Sequence, residues 1–128
     1  MKNISVVAAI IIKENKIFAT QRGYGEFKDW WEFPGGKIES GETPEEALKR
    51  EIIEELDTEI SVDKYLTTVD YDYPSFHLNM RCYICHIIKG KLELLEAEQA
   101  KWLTTKDIDT VNWLPADEII LREIVKNL

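Results

Sequence analysis

Glu51, Glu54 and Glu55 put three carboxylates on one sector of a stretch whose pattern predicts a helix. At about 100° per residue they fall within a roughly 100° arc. Glu51 and Glu55 stand four residues apart, with Glu54 beside them, and like-charge pairs at that spacing destabilise an exposed helix. A bound cation removes that repulsion. Oxygen-only donors suit Mg²⁺, with Mn²⁺ as the alternative, and Mg²⁺ commonly shares its shell with phosphate oxygens. The chemistry open to these residues is to hold divalent metal against a phosphate chain. On spacing alone, a second reading stands: an acidic, solvated helix end on a protein of net charge -8.

The element that must carry these carboxylates has clear signals. Thr43 is the expected N-cap, Pro44 the first helical residue, and Glu46 completes a capping box. Leu48, Ile52 and Leu56 recur every four residues and predict a buried stripe, with the helix ending near Leu56. Glu45 pairs with Lys49 and Glu46 with Arg50 in the first half, an ordinary solvated face. The glutamate cluster in the second half flanks the stripe, neither on the far solvent face nor fully buried.

The rest of the chain predicts a mixed sheet with a helix on each side, an α/β fold. Ile4 to Ile12 and Ile17 to Arg22 read as strands joined by a tight turn at Asn15. Gly23 to Trp31 reads as an aromatic loop. Glu59 to Tyr71 holds one or two strands with a charged turn at Asp63-Lys64. Leu78 to Ile88 is expected to pair across Lys89-Gly90-Lys91 with Leu92 to Leu95, and Lys101 to Leu103 is a short strand. Pro115 starts a closing helix with Ile119, Ile120, Ile124, Val125 and Leu128 on its apolar face.

Length and composition bound the function. A chain of 128 residues with 45% hydrophobic content fits one globular domain over 1–128. Net charge -8 argues against a polymeric nucleic acid as partner, because phosphate-backbone binding relies on basic patches. Ile4 to Ile12 is too short to span a bilayer and has no cleavage site after it, so no membrane association is expected. Cys82 and Cys85 lie three apart on a strand and point to opposite faces, poor geometry for a disulfide or a shared metal. They read as core thiols in a reducing cytoplasm, the expected location.

Gly36, Glu42 and the run Arg50-Glu51-Ile52-Ile53-Glu54-Glu55, at their fixed spacings, resemble the Nudix hydrolase box, which covers about a fifth of the chain. Glu32-Phe33-Pro34-Gly35-Gly36-Lys37 before it is similar to the MutT-type pyrophosphohydrolases. The box normally closes with Gly and an aliphatic residue; here Asp57 and Thr58 stand there. A glycine would cap the helix in the left-handed conformation, which Asp tolerates better than most residues. The change removes no ligand, but it leaves the helix end open.

The resemblance implies a Nudix α/β/α sandwich and hydrolysis of a nucleoside triphosphate to monophosphate and pyrophosphate with Mg²⁺. It implies a metal shell of Glu51, Glu54, Glu55, the Gly35 carbonyl and Glu96, which lies six residues before Trp102; Glu98 is the alternative to Glu96. Glu51 is the implied base, with Glu54 second. Arg50 orients the box carboxylates by bidentate pairing, and Glu42 bonds the box loop. Arg22, Gly36 and Lys37 are implied at the substrate phosphates, and Phe33, Tyr73 or Phe76 as stacking partners of the base. Asp117 is implied at the base edge, where an ionised acceptor favours cytosine or guanine over uracil or thymine; a helix-start carboxylate favoured by the dipole is its other reading. Phe76 stands where MutT proper carries an arginine, which shifts weight from 8-oxo-guanine toward cytosine nucleotides. The substrate expectation is therefore 8-oxo-dGTP, or CTP, dCTP and modified dCTP, handled by a monomer or homodimer. A catalytically inactive Nudix-fold sensor or interaction module is the reading from another class; a binding module need not retain Glu51, Glu54 and Glu55.

Overall fold

Every residue of 7–11 is buried, and this continuous apolar run explains why the chain builds its sheet around one central strand. A strand covered on both faces needs apolar side chains at every position. In the computed structural model, which describes residues 2–126, that strand is β1 (Lys2–Lys13). A turn with Glu14 and Asn15 both at positive φ (52° and 62°) returns the chain into β2 (Lys16–Gln21). Positive φ at both central residues matches the twist of a two-residue hairpin.

β1 has different partners on its two edges. One edge runs parallel to β6 (Phe76–Lys89), from Lys2 opposite Phe76 to Ile11 opposite Cys85. The other edge is shared. β4 (Gly35–Lys37) pairs antiparallel with Val6 to Ala8, and β2 pairs only at Ile12 and Lys13. The strands therefore diverge beside the first half of β1. β3 (Trp31–Glu32) and β7 (Gln99–Leu103) both add to β2, and β5 (Glu59–Tyr73) completes the order β3-β2-β1-β6-β5.

Helices cover both faces, as the α/β expectation requires. α1 (Pro44–Leu56) packs Ala47, Leu48, Ile52 and Leu56 against Val7, Ala9, Ile11, Ile60 and Cys85. On the opposite face α2 (Pro115–Ile119) and α3 (Leu121–Val125) pack Ala116, Ile120, Leu121 and Ile124 against Ala8, Ile10, Val69 and Cys82. Cys82 and Cys85 thus lie in different cores. Burial pushes both thiols up to about 12, which suits inert packing residues.

Three local expectations need correction. Glu59 to Tyr73 is one strand; Asp63-Lys64 is an irregularity in its pairing with β6 (a shift between Val62 and Lys64), not a turn. Leu92 to Leu95 forms no strand and instead crosses the end of α1, because helix-end carbonyls need N–H donors. The closing helix breaks at Ile120 into two short helices, leaving Ile119 and Val125 exposed while Ile120 and Ile124 stay buried. Leu128 lies outside the described residues. Among the described residues, no helix is long and apolar enough to cross a membrane.

Candidate active site

The box helix starts as its sequence dictates. Thr43 Oγ1 accepts the Glu46 N–H at 3.1 Å, and Glu46 Oε1 accepts the Thr43 N–H at 2.8 Å. Its end depends on the two departures from the box. Asp57 adopts the left-handed conformation (φ 48°, ψ 43°) and donates its N–H to the Ile53 carbonyl. Thr58 is buried; its hydroxyl donates to the Leu56 carbonyl and accepts the Leu92 N–H, each at 2.9 Å. Glu93 N–H donates to Leu56 and Leu95 N–H to Glu55, at 2.9 and 3.1 Å. The segment after β6 is thereby laid over the helix end, and it delivers Glu96 to the cleft beside Glu51 and Glu55. Glu98 is held differently, its N–H bonded to the Gln21 carbonyl at 2.9 Å.

Arg50 organises the acidic groups. Its Nε and Nη2 donate to the two oxygens of Glu42 at 2.7 and 3.0 Å, so the bidentate partner is Glu42. Nη1 is shared by Glu51 (2.9 Å) and Glu54 (3.1 Å), and Nη2 also reaches the Lys37 carbonyl at 3.0 Å. Glu42 in turn accepts the Glu39 N–H at 2.9 Å, tying loop to helix. Glu51 lies so close to Gly36 that a β-carbon there would collide with its carboxylate. At Gly35 a β-carbon would strike the Val7 carbonyl. Both glycines are demanded by close approach.

Glu55 is the most perturbed acid of the helix. Its Oε2 is buried and has no hydrogen-bond partner among the described residues. Burial first, then Glu51, Glu32 and Glu96, push the carboxyl up to about 9, against a hydrogen bond from the Gly35 backbone. Burial also raises Glu51, with Arg50 opposing and Glu54 and Glu96 adding to the rise. An orphaned oxygen among mutually repelling carboxylates fits a divalent cation, and an oxygen-only donor set fits a hard one. No three acidic, histidine or cysteine side chains among the described residues converge on one ion-sized point. Glu51 and Glu54 are turned toward Arg50.

Two cavities adjoin. A cleft of about 560 Å³ is lined by Arg22, Lys37, Glu51, Glu55 and Glu96, with Tyr24 at its wall. A smaller, largely apolar cavity of about 140 Å³ is lined by Phe27, Tyr73, Phe76, Met80 and Asp117. Gly35 and Gly36 border both. Tyr73 anchors the aromatic wall: its ring stacks on Phe76 (centroids 5.0 Å apart), and its hydroxyl accepts the Ala116 N–H at 3.2 Å.

Asp117 is only 5% exposed, and its Oδ2 accepts the Phe33 N–H at 2.9 Å. Burial, then the charge of Glu32, push its carboxyl up to about 8, while the Phe33 N–H and Arg22 oppose the rise. The Phe33 ring is buried and stacks on Trp113 (centroids 4.7 Å apart), while its backbone N–H holds Asp117.

Of the residues singled out by sequence, the structure gathers Arg22, Gly35, Gly36, Lys37, Glu51, Glu55 and Glu96 at one cleft, and Phe33 and Asp117 at the adjoining cavity. Arg50 lies behind the carboxylates, and Glu54 is mostly exposed at their outer side. Glu32, Phe27 and Tyr24 also line these cavities, and the sequence alone assigned none of them a site role. Glu32 had a signal, an acid beside the glycine motif; Phe27 and Tyr24 sit in a loop with no periodicity to read.

Comparison with known proteins agrees with this architecture. The family model described as NUDIX domain matches residues 1–127. The chain is similar to an 8-oxo-dGTP diphosphatase of Proteus vulgaris, 37% identical over 97 residues, covering 74% of this chain and 85% of that protein. It is also similar to a CTP pyrophosphohydrolase of Escherichia coli K12, 32% identical over 118 residues, covering 91% of this chain and 87% of that protein. Among solved structures, the solution structure of the E. coli ORF135 protein superposes with a TM-score of 0.84 at 31% identity, covering 98% of this chain and 91% of that one.

Proposed function

The chain belongs to the NUDIX domain family and is a nucleotide pyrophosphohydrolase; from that premise we propose that it hydrolyses a nucleoside triphosphate, using Mg²⁺ or Mn²⁺, to the monophosphate and pyrophosphate. The observation that carries this reading is the cleft itself. The partnerless oxygen of Glu55 shares it with Glu51 and Glu96 on one side and with the cations Arg22 and Lys37 on the other. A hydrophobic cavity ending in Asp117 adjoins it. Acidic groups suited to metal, cations suited to phosphate and an aromatic-lined cavity suited to a base make a nucleotide-shaped set.

In this reading Glu51, Glu54, Glu55, Glu96 and the Gly35 carbonyl would hold the metal, which when bound would lower the pKa of water and neutralise phosphate charge. Arg22 and Lys37 bind phosphate oxygens, and Gly36 admits them by lacking a side chain. Water attacks phosphorus, the anhydride P–O bond breaks, and pyrophosphate leaves with that electron pair. The water proton passes to Glu51, the carboxylate assigned as base. Arg50 keeps Glu51 aimed.

Asp117 reads the base. Its Oδ2 is committed to Phe33, which leaves the other oxygen for the ligand, as a donor below about pH 8 and an acceptor once ionised. We assign the base as 8-oxo-guanine or cytosine, including modified dCTP. The net charge of -8 supports a small nucleotide over a polymeric nucleic acid. We read residues 1–128 as one domain, acting in the cytoplasm as a monomer or homodimer.

The test is Mg²⁺-dependent phosphate release, coupled to pyrophosphatase, over CTP, dCTP, 5-methyl-dCTP, dGTP, 8-oxo-dGTP and UTP. Turnover of 8-oxo-dGTP well above dGTP, or of cytosine nucleotides well above UTP, is the expected result. No turnover of any of them, with Glu51→Gln indistinguishable from the parent, overturns the triphosphate reading.

A further inference from the structure

One ion pair stands where the two cavities meet. Arg22 and Glu32 each line both of them. β3 sets Glu32 opposite Thr20, two residues before Arg22, so the acid and the base close on each other across the β2–β3 pairing. The contact is a fork: Glu32 Oε2 accepts Nε–H at 3.1 Å, and Oε1 accepts Nη2–H at 2.7 Å. The pair is half-buried, with side-chain exposures of 36% for Arg22 and 24% for Glu32. A guanidinium has five N–H donors in a rigid plane. The fork uses two of them along one edge, and Arg22 makes no other side-chain hydrogen bond among those described. Asp117 lies on one side of this pair and Glu55 on the other, both close enough to feel the charge of Glu32.

We propose that Glu32 is a positioning residue that sets substrate specificity: its fork fixes Arg22 as the partition between the apolar cavity and the acidic cleft. Three remaining N–H donors are then presented to a substrate phosphate at one fixed separation from Asp117. This rests on the nucleotide reading above. A base and a phosphate chain must engage together, and only a ligand with the matching spacing meets both Asp117 and the fixed edge of Arg22. The opposite arrangement, in which Glu32 merely competes with phosphate for Arg22, predicts tighter binding once Glu32 loses its charge.

The experiment is a double-mutant cycle with Glu32→Gln, Arg22→Ala and the double variant, reading kcat and KM on the preferred nucleotide and on its closest competitor in the panel. Glu32→Gln keeps size and removes one acceptor of the fork. The expected result is a roughly tenfold to hundredfold loss in kcat/KM, a narrowed preference between the two nucleotides, and no further loss when Arg22 is already absent. Glu32→Asp, which keeps the charge and shortens the reach, falls between the parent and Glu32→Gln, and it serves as the variant of record if Glu32→Gln does not fold. Three outcomes overturn the proposal: kinetics unchanged in Glu32→Gln, a lowered KM, or the same loss in both Arg22 backgrounds, which marks a purely structural acid. A parent that turns over no nucleotide overturns the underlying reading and this inference with it. A parent that turns over nucleotides, with Glu32→Gln equal to it, overturns this inference alone.

Discussion

At the scale of single residues, the two acids lifted furthest by burial are Glu55 and Asp117, and each faces one of the two cavities. Their cost to the fold has a definite sign. Asp117 rises from its ordinary 3.8 to about 8, so the folded state holds this proton more tightly than the unfolded chain does. The stability it contributes is complete below pH 3.8 and is lost as pH climbs through about 8. Asp117→Asn keeps an acceptor for the Phe33 N–H and cannot ionise. Thermal unfolding without added metal, followed from pH 5 to 9, is expected to show the parent losing stability relative to Asp117→Asn, by an amount on the order of a few kcal/mol at the alkaline end. Parallel curves for the two proteins would rule this out. The same variant reads the base: if Asp117 contacts it, the ranking of nucleotides in the panel changes. Glu51→Gln, at the carboxylate assigned as base, is expected to lower kcat by about 10² to 10⁴.

Secondary-structure elements decide which carboxylates reach the cleft. α1 ends on Asp57 in the left-handed conformation, which strains a residue with a β-carbon by about 1 kcal/mol. Asp57→Gly is therefore expected to raise stability by roughly that amount and leave kcat unchanged, checked by denaturant midpoint and by turnover. Thr58 matters in a different way, because its hydroxyl joins Leu56 to Leu92 and so fastens the segment carrying Glu96. Thr58→Val keeps the shape and leaves a Leu92 N–H without its partner, at a cost of about 1–3 kcal/mol. Its activity should become dependent on higher Mg²⁺ concentration, since Glu96 is less firmly held. Equal Mg²⁺ dependence in parent and variant would separate the loop from the metal.

For the whole molecule, acidity and metal are linked. A protein of net charge -8 concentrates Glu51, Glu55 and Glu96 in one cleft, so a divalent cation bound there stabilises the folded state by mass action. At a Mg²⁺ concentration about 100 times its dissociation constant the gain is about 2.7 kcal/mol. Mg²⁺ is expected to raise Tm in the parent, less in Glu55→Gln, and a chelator to abolish turnover. A Tm indifferent to Mg²⁺ in the parent would remove the metal from this cleft.

Much of this protein could be read without its fold, and the reason is periodicity. The capping box at Thr43, the stripe of Leu48, Ile52 and Leu56, and the placing of Glu51 and Glu55 beside that stripe follow from the turn of a helix, which is a local property. The two-sided burial of β1 and the opposite facing of Cys82 and Cys85 follow from the strand repeat in the same way. Segments without a period were not legible. Leu92 to Leu95 reads as a strand because three of its four residues are leucine, yet the unsatisfied carbonyls of α1 claimed its N–H groups. Phe33 stacks its ring on Trp113, eighty residues away by sequence, a contact that no local period announces. The chain by itself determined which acids and cations are available to the proposed metal and phosphate chemistry. Only tertiary structure decided the pairing, because distances between β2, β3, α1 and the start of α2 exist only once the strands have closed. That closure set Glu32 on Arg22 and Asp117 beneath Phe33.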